Sequence, residues 1–236
     1  MKKIQSFLLL FAAAFLLFLP SAQADDKPSV PIVSVDGTGS YEAAPDQANL
    51  SVGIRTYAEN AQQAQQSNAE TATAIQNALI EFGIPEKCIQ TRDYSFYPTY
   101  DNGKNHENTI TGYTVNNTIT VTITDISITG KVIDLALQNG ANQVNSLNFS
   151  ARNTEKIRRQ AMTAAVKDAR EKADILAEGL GKRIIGVQNV SESGTSMRTQ
   201  EYNTMGLSKM AVDNTPIAPG TLTCNANVHV DFILGD

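Results

Sequence analysis

Tryptophan is absent from this chain of 236 residues, and only two histidines and two cysteines occur. Most metal and nucleophile chemistry therefore lacks its raw material. Cys88 and Cys224 form no Cys-x-x-Cys, and neither stands at metal spacing from His106 or His229. Structural zinc is excluded on that ground, and no metal or cofactor is expected. The histidines fall in different predicted elements, with no acid placed in sequence to orient either as a Ser-His-Asp triad requires. No Gly-x-Ser-x-Gly occurs. In "VDGTGSYE", Gly37 and Gly39 lack the third glycine of a dinucleotide fingerprint, and Pro45 and a strand follow where a helix should. The pair reads as a turn. The expectation is a protein that is not an enzyme.

A basic excess is also missing. Nineteen lysines and arginines face 24 aspartates and glutamates, so a phosphate-gripping partner such as nucleic acid is not expected. Long apolar runs are confined to the start. "MKK" precedes "FLLLFAAAFLLFLP" (Phe7 to Pro20), and "AQA" then offers the small residues of a signal-peptidase site. The run is shorter than the ~20 residues of a spanning helix. Residues 1–24 thus read as a signal peptide cut between Ala24 and Asp25, residues 25–30 as a linker, and 31–236 as one domain. Removal takes Lys2 and Lys3, leaving 17 basic and 24 acidic residues, a net charge of −7. The short lysine start and Ala-Gln-Ala point to bacterial export, to a periplasmic or secreted location, with no transmembrane segment after cleavage. In that oxidising setting a Cys88–Cys224 disulfide is permitted. Two separate buried thiols are the alternative.

What is present is strong alternation. Tyr113, Val115, Ile119, Val121 and Ile123 alternate with threonine and asparagine; so do Leu222, Cys224, Ala226, Val228, Val230 and Phe232, and Ala48, Leu50, Val52 and Ile54. Such strands belong to a sheet covered on one face. Helices are predicted from Ala61 to Phe82, where Gly83 and Pro85 stop the chain, from Asp125 to Gly140, and over 151–181. The fold class is α+β: a mixed, mostly antiparallel sheet packed by helices. It contains a β-α-β-β-α-β split unit followed by a long helix and two strands. Residues 194–220 show no periodicity and end in prolines, so they read as a long loop or flap. That segment holds Met197, Met205 and Met210, exposed thioethers that could bind Cu(I) or take up oxidant. Ordinary loop methionines are the alternative.

Nine of the nineteen basic residues lie in 151–183. On a helix, Ile157, Ala161, Ala164, Ala165, Ala169, Leu176 and Leu180 gather on one alanine-rich side, which lets the helix approach a sheet closely. Lys167 with Glu171 and Arg170 with Asp174 make i,i+4 pairs worth ~0.2–0.5 kcal/mol each. Arg152, Lys156, Arg158 and Arg159 have only Glu155 nearby, and they oppose the helix dipole at its N-terminus by ~0.3–1 kcal/mol per group. A broken local rule marks a candidate site. Either acids elsewhere on the chain neutralise these cations, or a partner subunit or anionic surface does.

The run Ala161, Ala165, Asp168-Ala169, Lys172-Ala173, Leu176-Ala177 and Leu180-Gly181 resembles the long-helix signature of SIMPL domains. "VSVDGTGSYEAAPDQANLSVGI" is similar to that family's opening Gly-x-Gly and Pro-Asp-x-Ala, "GYTVNNTITVTITD" to its central Gly-Tyr strand, and "PIAPGTLTCNANVHVDF" to its closing strand. The resemblance spans Ile32 to Phe232. It implies a mixed sheet packed by helices in an exported bacterial protein of undefined activity, with links to oxidative-stress defence, immunogenicity and ring-like or channel-like oligomers. It carries no catalytic residues. The expectation is a self-assembling, non-enzymatic homo-oligomer acting in envelope or oxidative-stress defence. A methionine-loop copper or oxidant-scavenging protein, and an enzyme with an unrecognised site, are the alternatives.

Overall fold

Seven strands and three helices make up the described part of the chain, a computed structural model that describes residues 30–101, 109–200 and 215–236. The strands are β1 (Ile32–Ala43), β2 (Gln47–Ala58), β3 (Ile89–Tyr100), β4 (Ile110–Ile123), β5 (Gln143–Ser150), β6 (Arg183–Gln200) and β7 (Thr221–Gly235). The helices are α1 (Ala61–Glu81), α2 (Thr129–Gln138) and α3 (Thr154–Gly179). Asn60 opens α1 by accepting the Gln62 amide at 2.8 Å. Gly83 closes it at φ 107°, a conformation that costs glycine little.

The α+β class holds, with one correction. The strands build two antiparallel sheets, ordered β3-β4-β2-β5 and β1-β7-β6, and not one mixed sheet. The four-stranded sheet is the expected split unit, β2-α1-β3-β4-α2-β5. The other arises because β1 pairs with β7 from Ile32↔Ile233 to Ala43↔Leu222. Alternation assigns a strand its two faces and not its neighbour, so this pairing of the chain's two ends is invisible locally.

Two more expectations fall to the pairing of β7 with its two neighbours. Gly37 and Gly39 sit inside β1, not in a turn. Residues 194–200 belong to β6, paired with β7 from Gly194↔Asn227 to Gln200↔Thr221. A partner strand supplied the ladder that the missing periodicity had argued against. Met205 and Met210, His106, and the cleavage site at Ala24 and Asp25 lie outside the described residues.

Each sheet has its own core. Leu50, Ile54, Ile75, Leu79, Ile119 and Ile123 fill the layer between the four-stranded sheet and α1 and α2. Val35, Val228, Val230 and Phe232 pack with α3 against the three-stranded sheet. Cys88 borders the first core and Cys224 lies in the second, and both are free thiols. The two residues serve different layers, and the structure does not bring them together.

Candidate functional site at the start of the long helix

The buried row of α3 is Ile157, Ala161, Ala165, Ala169, Ala173 and Ala177. Steps of four residues advance ~40° beyond a full turn each time, so the row winds around the helix as the twisted sheet beneath it turns. This corrects the placement of Leu176 and Leu180, which are 47% and 66% exposed. By the last turns the inward direction has passed to Ala173 and Ala177. Alanine matters because β1 comes so near. A Cβ on Gly37 would stand 2.7 Å from the Ala169 Cβ, and one on Gly39 would run into the Ala161 carbonyl and the Ala165 amide.

Two polar side chains of α3 then reach the outer edge of β1. Asp168 accepts the Thr38 amide at 2.7 Å, and Lys172 donates to the Asp36 carbonyl at 3.0 Å. Lys172 and Asp168 also pair with each other at 2.7 Å. The Lys172 ammonium first, and the Thr38 amide second, hold the Asp168 carboxyl below the usual carboxylate range. An edge strand left with free amides and carbonyls invites foreign pairing, and this clamp occupies them.

The four candidate cations divide. Arg152 is neutralised within the chain: its amide donates to Asp46 at 2.7 Å and its guanidinium to the same carboxylate at 3.3 Å. The amide contact is the main reason the Asp46 carboxyl sits low. Arg158 makes an exposed pair with Glu155 at 3.4 Å. Among the described residues Lys156 and Arg159 have no ion pair. Arg158 and Arg159 flank a shallow groove of about 380 Å³ whose apolar floor includes Met162 and Val166. The expected pairs Lys167–Glu171 and Arg170–Asp174 are present at 3.5 and 2.9 Å. The structure therefore brings together Arg159, the weakly paired Arg158 with its partner Glu155, and an apolar patch on the outer side of α3, while Lys156 stands outside the groove.

Sequence reasoning missed a second cluster. His229 on β7 stands with Nδ1 2.7 Å from Asp36 Oδ1 on β1 and Nε2 3.4 Å from Asp231 Oδ1. Asp231 is held in turn by the Ser34 hydroxyl at 2.5 Å and by Asn189 at 3.5 Å. The hydrogen bond that the imidazole donates to Asp36 raises the histidine's pKa, with Asp231 adding to it. Asp36 is 193 residues from His229, so only the β1–β7 register could have revealed the pair. Among the described residues no set of acids, cysteines and histidines is disposed to hold a metal ion. Met197 lies on the edge strand β6, at the rim and apart from this cluster.

The residues of the sequence motifs are thus one another's contacts: Gly37 and Gly39 with the alanine row, Asp168 and Lys172 with β1, Asp46 with Arg152. A family profile described as SIMPL, protein of unknown function (DUF541), matches residues 33–232. The chain belongs to the SIMPL family. Over 209 residues it is 31% identical to a 26 kDa periplasmic immunogenic protein of Brucella melitensis, covering 85% of this chain and 83% of that one. A Brucella abortus protein of the same description is equally similar. Over 170 residues the SIMPL chain is 26% identical to the uncharacterized protein YggE of Escherichia coli, covering 72% and 69% of the two chains. No described helix of this SIMPL protein is long and apolar enough to cross a membrane.

Proposed function

We propose that this SIMPL protein is exported to the periplasm, assembles with copies of itself through the start of α3, and serves envelope or oxidative-stress defence without catalysing a reaction. The observation that carries the assembly is the apolar floor of Met162 and Val166 flanked by Arg159 and the weakly paired Arg158, with the cation Lys156 close by in the first turns of the same helix. On a chain with five more acidic than basic residues, a second copy offers ample acidic surface to meet them. A charged rim around an apolar centre is the usual composition of a protein interface. The periplasmic description of the Brucella relatives supports the location. Light scattering after gel filtration, at low and high salt, tests the reading. An assembly that weakens in salt and is lost in Lys156→Glu/Arg159→Glu supports it. A salt-indifferent monomer, for the parent and the variant alike, refutes it.

A further inference from the structure

The four-stranded sheet carries both of its helices on one face, and the other face is lined mainly by neutral polar side chains, with the exposed Arg55 of β2 between Ser51 and Tyr57. Asn49 and Ser51 of β2, Thr118 and Thr120 of β4, and Ser146 and Asn148 of β5 enclose a shallow trough of about 400 Å³, within the ~300–1,000 Å³ of small-ligand sites. None of these six bears a charge. Arg92 and Asp93 stand together at the β3 margin, one of each sign. Hydroxyls and amides both donate and accept, so this surface matches a ligand whose own groups do the same. An anion would meet no net positive charge here, and an apolar ligand would strip water from groups it could not satisfy.

Farther along the same face a cross-strand row joins Tyr97 of β3, Thr114 of β4 and Tyr57 of β2. Thr114 is buried between the rings while both tyrosines stay exposed. Tyr57 lies flat on the sheet because its neighbour is Gly112, where a Cβ would come within 2.6 Å of the ring carbons. The Tyr57 hydroxyl is anchored to the Thr111 carbonyl at 2.9 Å, and Tyr97 accepts from Asn116 at 3.1 Å. The Tyr57 ring is therefore held in place over Gly112 with a face toward solvent, and the exposed Tyr97 is tethered beside it, an arrangement the core does not need. From Ser51 to Tyr57 an extended strand covers ~20 Å. The strip is longer than a single sugar ring.

We infer that this face binds a neutral oligosaccharide, with the Asn49–Ser51–Thr120–Asn148 trough hydrogen-bonding its hydroxyls and the flat Tyr57 ring stacking against a pyranose. The uncharged trough and the flat aromatic ring favour that occupant over nucleic acid or an acidic peptide: Arg92 and Asp93 offset each other, Arg55 adds a single cation that can also donate to sugar hydroxyls, and the chain as a whole is acidic. Chitotetraose and cellotetraose, titrated into the full chain by calorimetry and followed by amide chemical shifts, provide the test. Saturable binding is expected, with shifts confined to β2, β4, β5 and the facing residues of β3. Tyr57→Ala and Asn49→Ala, each shown folded by its thermal transition, should weaken it about tenfold or more. Tyr57→Phe should retain it. No saturable binding of either sugar overturns the inference, as does binding that both alanine variants leave unchanged. A Thr120→Lys variant that changes the particle mass instead would assign the face to a second copy and equally overturn it. The start of α3 lies on a different surface, so Lys156→Glu/Arg159→Glu should leave sugar binding intact.

Discussion

Asp168 on α3 accepts the main-chain amide of Thr38 on β1 at 2.7 Å, joining a helix and an edge strand 130 residues apart in sequence. The carboxylate is the only side chain of the two that carries charge, and its ionised state is favoured first by the Lys172 ammonium and then by this contact. A group whose pKa is depressed on folding contributes stability above its unfolded value, and loses it as pH falls through the folded one. Asp168 has an unfolded value near 3.8. Its share of stability is thus present at neutral pH and lost below about pH 4. Asp168→Asn is expected to lower the melting temperature at pH 7 and to shrink the gap to the parent at pH 3. Equal gaps at both pH values would show that the charge contributes nothing.

Gly39 tests the closeness of α3 to β1. A methyl group there meets the Ala161 carbonyl and the Ala165 amide, both main chain and neither free to swing away. Gly39→Ala should cost ~1–3 kcal/mol by overpacking. Gly179, at the end of α3, has nothing within 4 Å of the added position. Gly179→Ala should stabilise by ~0.5–1 kcal/mol through helix propensity. Denaturant unfolding of both variants checks the opposite signs.

His229 titrates between Asp36 and Asp231, and its folded pKa lies above the usual 6.5. The sign is the reverse of that for Asp168. The histidine's contribution is fully present below about pH 6.5 and disappears as pH rises through the raised folded value. His229→Gln should therefore narrow the difference in melting temperature between about pH 6 and pH 8. Proton shifts of the imidazole read the pKa directly. A midpoint at or below the ordinary value would contradict the Asp36 contact.

Both cysteines are free, one bordering each core. Under denaturing, non-reducing conditions a thiol reagent should label Cys88 and Cys224 in full. In the native protein Cys224, 1% exposed, should react far more slowly than Cys88. A chain that labels at neither position until reduced would establish the disulfide.

Much of the candidate site was legible in residues 151–183. The i,i+4 pairs, the alanine side and the unbalanced cations at the helix start all follow from 3.6 residues per turn, which sequence spacing reports directly. The partner of Arg152 was not legible, because Asp46 is 106 residues away. Nor was the fate of Leu176 and Leu180. Which way a helix faces in its last turns depends on the twist of the sheet beneath it.

The sequence alone determined the three helices, their glycine stops and most of the strands with their buried and wet faces, the glycine stretch of β1 and residues 194–200 of β6 excepted. Those are properties of period and of local backbone preference. Only the tertiary structure decided that there are two sheets, that β1 closes on β7, and that Gly37 and Gly39 admit a helix where a turn was expected. It alone placed His229 between two acids and laid Tyr57 flat over Gly112. Each of these is a meeting of segments far apart in the chain, set by which strands share a ladder. Local alternation is the same whichever partner a strand finds.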